Sequence, residues 1–153
     1  MRRFLLASAA AAIVCGSPAF AQDNAERIAA AALEAAPVWD GHNDVPIQLR
    51  SRVGNVINDF DFRDTLNTAS ADHSAMHSDL IRLKQGKVGA QWWSVYVSAN
   101  LSEPEAVQAT IEQIDVTKRL IARYPDDMQL ALSADEVEEA MAAGRIASFI
   151  GME

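Results

Sequence analysis

Val38-Trp39 runs straight into the polar cluster Asp40-Gly41-His42-Asn43-Asp44. In an extended segment residues i and i+2 point the same way, so the His42 imidazole and the Asp44 carboxylate can face one cation. Imidazole nitrogen and carboxylate oxygen are common ligands of zinc and related divalent ions. The same two side chains can instead hydrogen-bond to each other or cap the following turn, and three letters leave both readings open. Glu153 follows Ile146-Ala147-Ser148-Phe149-Ile150-Gly151-Met152. A carboxylate at the end of such an apolar run, beside a glycine, either reaches a shared site or is simply solvated.

Other candidates carry weaker signals. His73 and His77 are four apart, a zinc spacing on a helix, but no glutamate follows His73 as it does in a metalloprotease helix. They read as loop histidines ahead of a cap at Ser78. Asp59, Asp61 and Asp64 are spaced somewhat like a calcium loop without its glycine or closing glutamate, and read as a solvated acidic loop. Trp92 and Trp93 are expected either to pack in a core or to line a pocket. A G-x-S-x-G elbow and a phosphate-binding glycine loop are absent, and the single cysteine, Cys15, lies in the leader described below. Nucleophilic serine or cysteine catalysis therefore has no support, and thiolate zinc sites are excluded, leaving histidine and carboxylates to hold any metal.

The elements that must position these groups can be read from punctuation and period. Asp23 to Ala36 is an alanine-rich helix with Ile28, Ala32 and Leu33 on one side, stopped by Pro37. A brief strand begins at Val38. From Val45 to Met76 the chain reads as irregular and polar. Ser78 is a plausible N-cap for a short helix over Asp79 to Gln85 that Gly86 ends, and Val88 to Val97 is a strand. Ser102 and Glu105 form a capping box for a helix closed by Pro125, with Val107, Ile111, Ile114, Lys118 and Ile121 on one face. Met128 to Leu132 is a strand, Ser133 and Glu136 repeat the capping box, Gly144 ends that helix, and Ile146 to Met152 is a buried strand. Strands alternating with helices predict an α/β fold with a parallel sheet. Right-handed crossovers then place the strands' C-terminal ends, with His42, Asp44 and Glu153, on one rim.

Composition agrees with a folded domain. The chain has 153 residues, 50% hydrophobic and 22% charged, and a formal net charge of -8. That acidity excludes nucleic-acid binding driven by phosphate neutralisation. Arg2-Arg3, the apolar run from Phe4 to Cys15, and Ala19-Phe20-Ala21 form a signal peptide over residues 1–21, too short in its apolar part to span a membrane. Arg2-Arg3 leaves Sec and twin-arginine export both open, and Val14 before Cys15 departs from a lipobox. Residues 22–153 are thus expected as an exported, cysteine-free protein of the bacterial periplasm, with no stable membrane span after cleavage. An exported α/β protein that binds a small ligand or partner without turnover is the alternative to an enzyme.

Three blocks in order, Val38 to Pro46, Leu80 to Val97 and Ile146 to Glu153, resemble the membrane dipeptidase (renal dipeptidase) family. The resemblance runs from about Ala25 to Glu153 and implies the N-terminal portion of a (β/α)8 TIM-type barrel whose chain continues well beyond. It implies a zinc-dependent dipeptidase with two Zn2+ per active site, dipeptide substrates and a family homodimer. The family's first-strand H-x-D motif matches His42 and Asp44 as zinc ligands, and its bridging glutamate matches Glu153. None of the three is expected to be the general acid. The histidines completing the second zinc lie on later strands of the family. Residues 22–153 alone are therefore expected to be inactive and poorly folded.

Overall fold

The structure, a computed structural model, describes residues 18–153. The expected leader, residues 1–21, lies outside them except for the stretch from Pro18, which opens helix α1 (Pro18–Ala35). That helix starts earlier than its alanine-rich pattern suggests and ends before Pro37, with Ile28 exposed. Among the described residues no helix is long and apolar enough to cross a membrane.

Residues 36–153 form a second unit. Its elements are β1 (Val38–Asn43), α2 (Val45–Val53), α3 (Leu80–Gln85), β2 (Val88–Val95), α4 (Glu103–Arg123), β3 (Met128–Leu130), α5 (Ala134–Ala142) and β4 (Ile146–Met152). The four strands form one parallel sheet in the order β1-β2-β4-β3. β3 therefore lies outside β4 rather than between β2 and β4. The path from β1 through β2 to β3 advances across the sheet, and the return from β3 to β4 reverses it. Right-handed crossovers of opposite direction put their helices on opposite faces, and the two cores follow that rule. On one face, α2 and α4 bury Leu49, Val116 and Leu120 against Trp93, Met128 and Ile146. On the other, α5 buries Val137 and Ala140 against Ala90 and Ala147.

Helix α2 falls where the sequence reads as irregular. Gln48, Arg50, Ser51 and Arg52 mask its period, but Pro46 sits in its first turn, where a missing N–H costs nothing. Gly54, at φ +56°, caps its end through an N–H donated to the last-turn carbonyls. α3 is capped by Asp79 rather than Ser78: the Asp79 carboxylate accepts from the Arg82 amide at 2.8 Å. In α4 the expected capping box is present, with Glu105 accepting from the Ser102 amide at 3.0 Å. Of the expected face, Val107 and Ile111 are exposed and Ile121 is buried, and the side against the sheet carries Ala109, Gln113, Val116, Thr117, Leu120 and Ile121. Gln113 and Thr117 tolerate burial because they donate to the Tyr96 and Gln113 carbonyls, so polar positions occupy the inner face. At α5, Ser133 accepts from the Glu136 amide, while Glu136 reaches back to Leu132, one residue short of a full box. β2 and β3 end at Val95 and Leu130, two residues earlier than expected.

Candidate metal centre

Two compensating slips between β1 and β2 aim the site. Val38 pairs Val88 and Asn43 pairs Trp93, in step at both ends, but between them Trp39 pairs Ala90 and Asp40 pairs Gln91. β2 thus carries an extra residue at Gly89, and β1 carries one between Asp40 and Asn43. Gly89 has no room for a side chain, since a Cβ there would lie 2.7 Å from the Pro37 Cβ. In an unbroken strand His42 would share the side of Asp40, facing the α2 and α4 layer. The extra residue turns it to the α5 face, where Trp92 and Ser94 of β2 and Phe149 and Gly151 of β4 point. Glu153, two residues beyond Gly151, continues that side.

His42, Asp44 and Glu153 therefore converge. His42 Nε2 lies 3.2 Å from Asp44 Oδ1 and 3.5 Å from Glu153 Oε2. One candidate ligand atom from each of the three falls within 4.8 Å of the others. Asp44 is the N-cap residue of α2, yet its carboxylate makes no capping bond and turns to His42 instead. Ser94, almost fully buried, donates its hydroxyl to Glu153 Oε2 at 2.7 Å. Two carboxylates so close repel one another, and a single imidazole nitrogen donates one proton. One nitrogen and two carboxylate oxygens at this separation are a donor set that suits a divalent cation such as zinc.

His42 also divides two hollows. A cleft of about 450 Å³ holds His42 and Asp44 together with Gln48, Arg52, Met76 and His77. On its other side a hollow of about 280 Å³ holds Glu153, Ser94, Trp92 and Met152. The loop that walls the cleft is anchored by Asp79, which is almost fully buried and accepts from the Thr65 amide and from the Arg82 amide and guanidinium. Burial pushes the Asp79 carboxyl upward, but these hydrogen bonds and the Arg82 charge outweigh it and hold it below its ordinary value.

The remaining candidates fall elsewhere. His73 and His77 lie in the loop before α3, and His77 lines the cleft without joining the three-residue cluster. Asp61 and Asp64 accept from the amides of Arg63 and Leu66 two residues on, as turn-forming aspartates do. The tryptophans divide: Trp93 is wholly buried in the core, whereas Trp92 is partly exposed and stacks on Phe149 at 4.6 Å. Ser94 is the site residue that the sequence reading omits. Its signal was available in the alternation of β2, which places it on the same face as Trp92.

The sequence pattern describing the membrane dipeptidases, peptidase family M19, matches residues 26–153. Dipeptidase verJ of Clonostachys rogersoniana is 38% identical over 127 residues, covering 76% of this chain and 31% of that protein. Dipeptidase ataJ of Aspergillus terreus is 38% identical over 125 residues, covering 76% and 28%. The chain thus spans about a third of the length of these relatives. Among solved structures, a metallopeptidase from Rhodobacter sphaeroides liganded with a phosphinate mimic of the dipeptide L-Ala-D-Ala superposes with a TM-score of 0.53 at 21% identity, covering 76% of this chain and 38% of that one. Dipeptidase AC, a metallopeptidase of family M19, superposes with a TM-score of 0.52 at 24% identity, covering 76% and 35%. These likenesses identify the parallel α/β unit as part of a TIM-type barrel fold.

Proposed function

This chain belongs to the membrane dipeptidase family, peptidase family M19, and we propose that it supplies the first metal ligands of a zinc-dependent dipeptidase. The observation that carries the proposal is the convergence of His42, Asp44 and Glu153 within 4.8 Å on one rim of the sheet. His42 and Asp44 would help hold a metal ion through Nε2 and Oδ1, and Glu153 would supply carboxylate oxygens to the same centre. When bound, zinc would supply a Lewis acid for the scissile carbonyl and would lower the pKa of a water at the site towards neutrality. Ser94 holds one Glu153 oxygen in place, and the cleft beside His42 gives a dipeptide room to approach. Dipeptides as substrates are supported by the relatives named dipeptidases and by the dipeptide mimic bound to the Rhodobacter sphaeroides enzyme.

Paired variants of the full-length protein test this. His42→Ala should lose bound zinc and drop dipeptide turnover by more than the ~100-fold that loss of an outer-shell partner costs. His77→Ala, in the same cleft but outside the cluster, should keep both within a few-fold. An active, zinc-replete His42→Ala protein would remove the metal site from the account.

A further inference from the structure

Asn43 stands between the proposed ligands His42 and Asp44, and its side chain works on the opposite face of the strand. Its Oδ1 accepts from the Val45 amide at 3.2 Å. Its Nδ2 donates to Ser78 Oγ at 3.1 Å and to Gln91 Oε1 at 3.4 Å. Gln91 is fully buried and donates in turn to the carbonyls of Asp40 at 3.4 Å and Trp92 at 3.0 Å. These bonds span the slip in which β1 carries its extra residue, where regular ladder pairing between β1 and β2 is interrupted. Side chains therefore hold the strands together where the backbone register breaks.

An aspartate at an N-cap ordinarily turns its carboxylate back onto the first free amides of its helix. At α2 the Asp44 carboxylate does not do so: Pro46, second in the helix, has no N–H to give, and the carboxylate faces His42 instead.

We propose that Asn43, clamped by Gln91 and Ser78 across the register slip, is a positioning residue that sets the aim of His42 for metal. The proposal rests on the zinc reading above, and it assigns to the middle residue of the H-x-D motif a task beyond spacing. Asn43 is not one of the three clustered candidate ligands. Outer-shell partners of this kind are worth about 10–100-fold in metal affinity.

The test uses the full-length protein with zinc as the probe. Zinc dissociation constants are measured by chelator competition for the wild type, Asn43→Ala, Ser78→Ala and Gln113→Ala, alongside thermal melts. Gln113 is more deeply buried than Asn43 or Ser78 and lies on α4, away from the clamp, so its variant controls for general loosening. Asn43→Ala should weaken zinc binding 10–100-fold, Ser78→Ala by a smaller factor in the same direction, and Gln113→Ala should lower the melting temperature with zinc affinity unchanged. Unchanged affinity in Asn43→Ala, or equal weakening in Gln113→Ala, would overturn the clamp. If Asn43→Ala does not fold, Ser78→Ala decides, and zinc affinity equal to wild type in it counts against the proposal.

A crystal structure of the metal-free Asn43→Ala protein, or of Ser78→Ala in its place, separates this proposal from the zinc reading. The clamp predicts that His42 Nε2 leaves its 3.2 Å position beside Asp44, and an unmoved His42 overturns it. Absence of zinc from the wild type would instead overturn the function proposed above.

Discussion

The two faces of the sheet are built from the same strands and do opposite work. On the α4 face, Trp93, Ile146, Val116 and Leu120 are almost wholly buried and packed together. On the α5 face, only the lower part is closed, by Ala90, Ala147, Val137 and Ala140. Above it, Trp39 and Trp92 stay partly exposed around Phe149, and His42, Asp44 and Glu153 expose about half of each side chain. The first face gains stability by removing apolar area from water, at roughly 25 cal/mol per Å². The second holds two carboxylates against each other, an arrangement that costs free energy until a cation enters. Variants should therefore separate: those in the apolar core of the α4 face change stability and leave the metal ligands alone, while those on the rim of the α5 face, and at the Asn43 clamp that aims it, change metal binding far more than stability.

The largest stability effect expected is at Trp93. Trp93→Ala should lower unfolding free energy by about 3–5 kcal/mol, while the protein that remains folded binds zinc in the wild-type ratio. Denaturant titration and zinc analysis of the folded fraction check both parts, and lost stoichiometry would blur the contrast.

Asp79 comes next, through the loop walling the cleft. Asp79→Asn leaves Arg82 without its buried anion and should cost about 1–3 kcal/mol at neutral pH. The folded Asp79 pKa lies below its ordinary value near 3.8, so its contribution is fully present above that value and is lost as pH falls through the lower, folded pKa. The gap between wild type and variant, followed by melts from pH 7 down to pH 3, should accordingly hold near neutrality and narrow only in strong acid. A gap that narrows well above pH 4 would contradict this assignment.

The smallest stability change is expected at Ser94. Losing one hydroxyl bond should cost about 0.5–1.5 kcal/mol, whereas freeing Glu153 should weaken zinc binding about 10-fold or more. A Ser94→Ala protein with wild-type zinc affinity would assign that bond to the fold rather than to the site.

Strand alternation and a glycine before a carboxylate made His42, Asp44 and Glu153 candidates in the sequence, but these local signals left a solvated reading open, and the family resemblance singled them out as ligands. How they meet was not legible, since the slip between Asp40 and Asn43 is a property of two paired strands, and β1 alone does not display it. The same holds for β3, whose pattern is a strand but whose place outside β4 follows from the reversed crossover through α5. Helix α2 was hidden by its polar residues, although Pro46 and Gly54 marked its ends. Tryptophan content did not separate Trp92 from Trp93, and the pairing of Trp92 with Phe149 did.

Anomalous diffraction at the zinc edge from crystals of the zinc-loaded full-length protein tests the central claim most directly. The account predicts an anomalous peak enclosed by His42 Nε2, Asp44 Oδ1 and a Glu153 carboxylate oxygen, at ligand distances of about 2.0–2.2 Å. An active dipeptidase whose zinc lies elsewhere, with these three side chains still contacting only one another and Ser94, would contradict it.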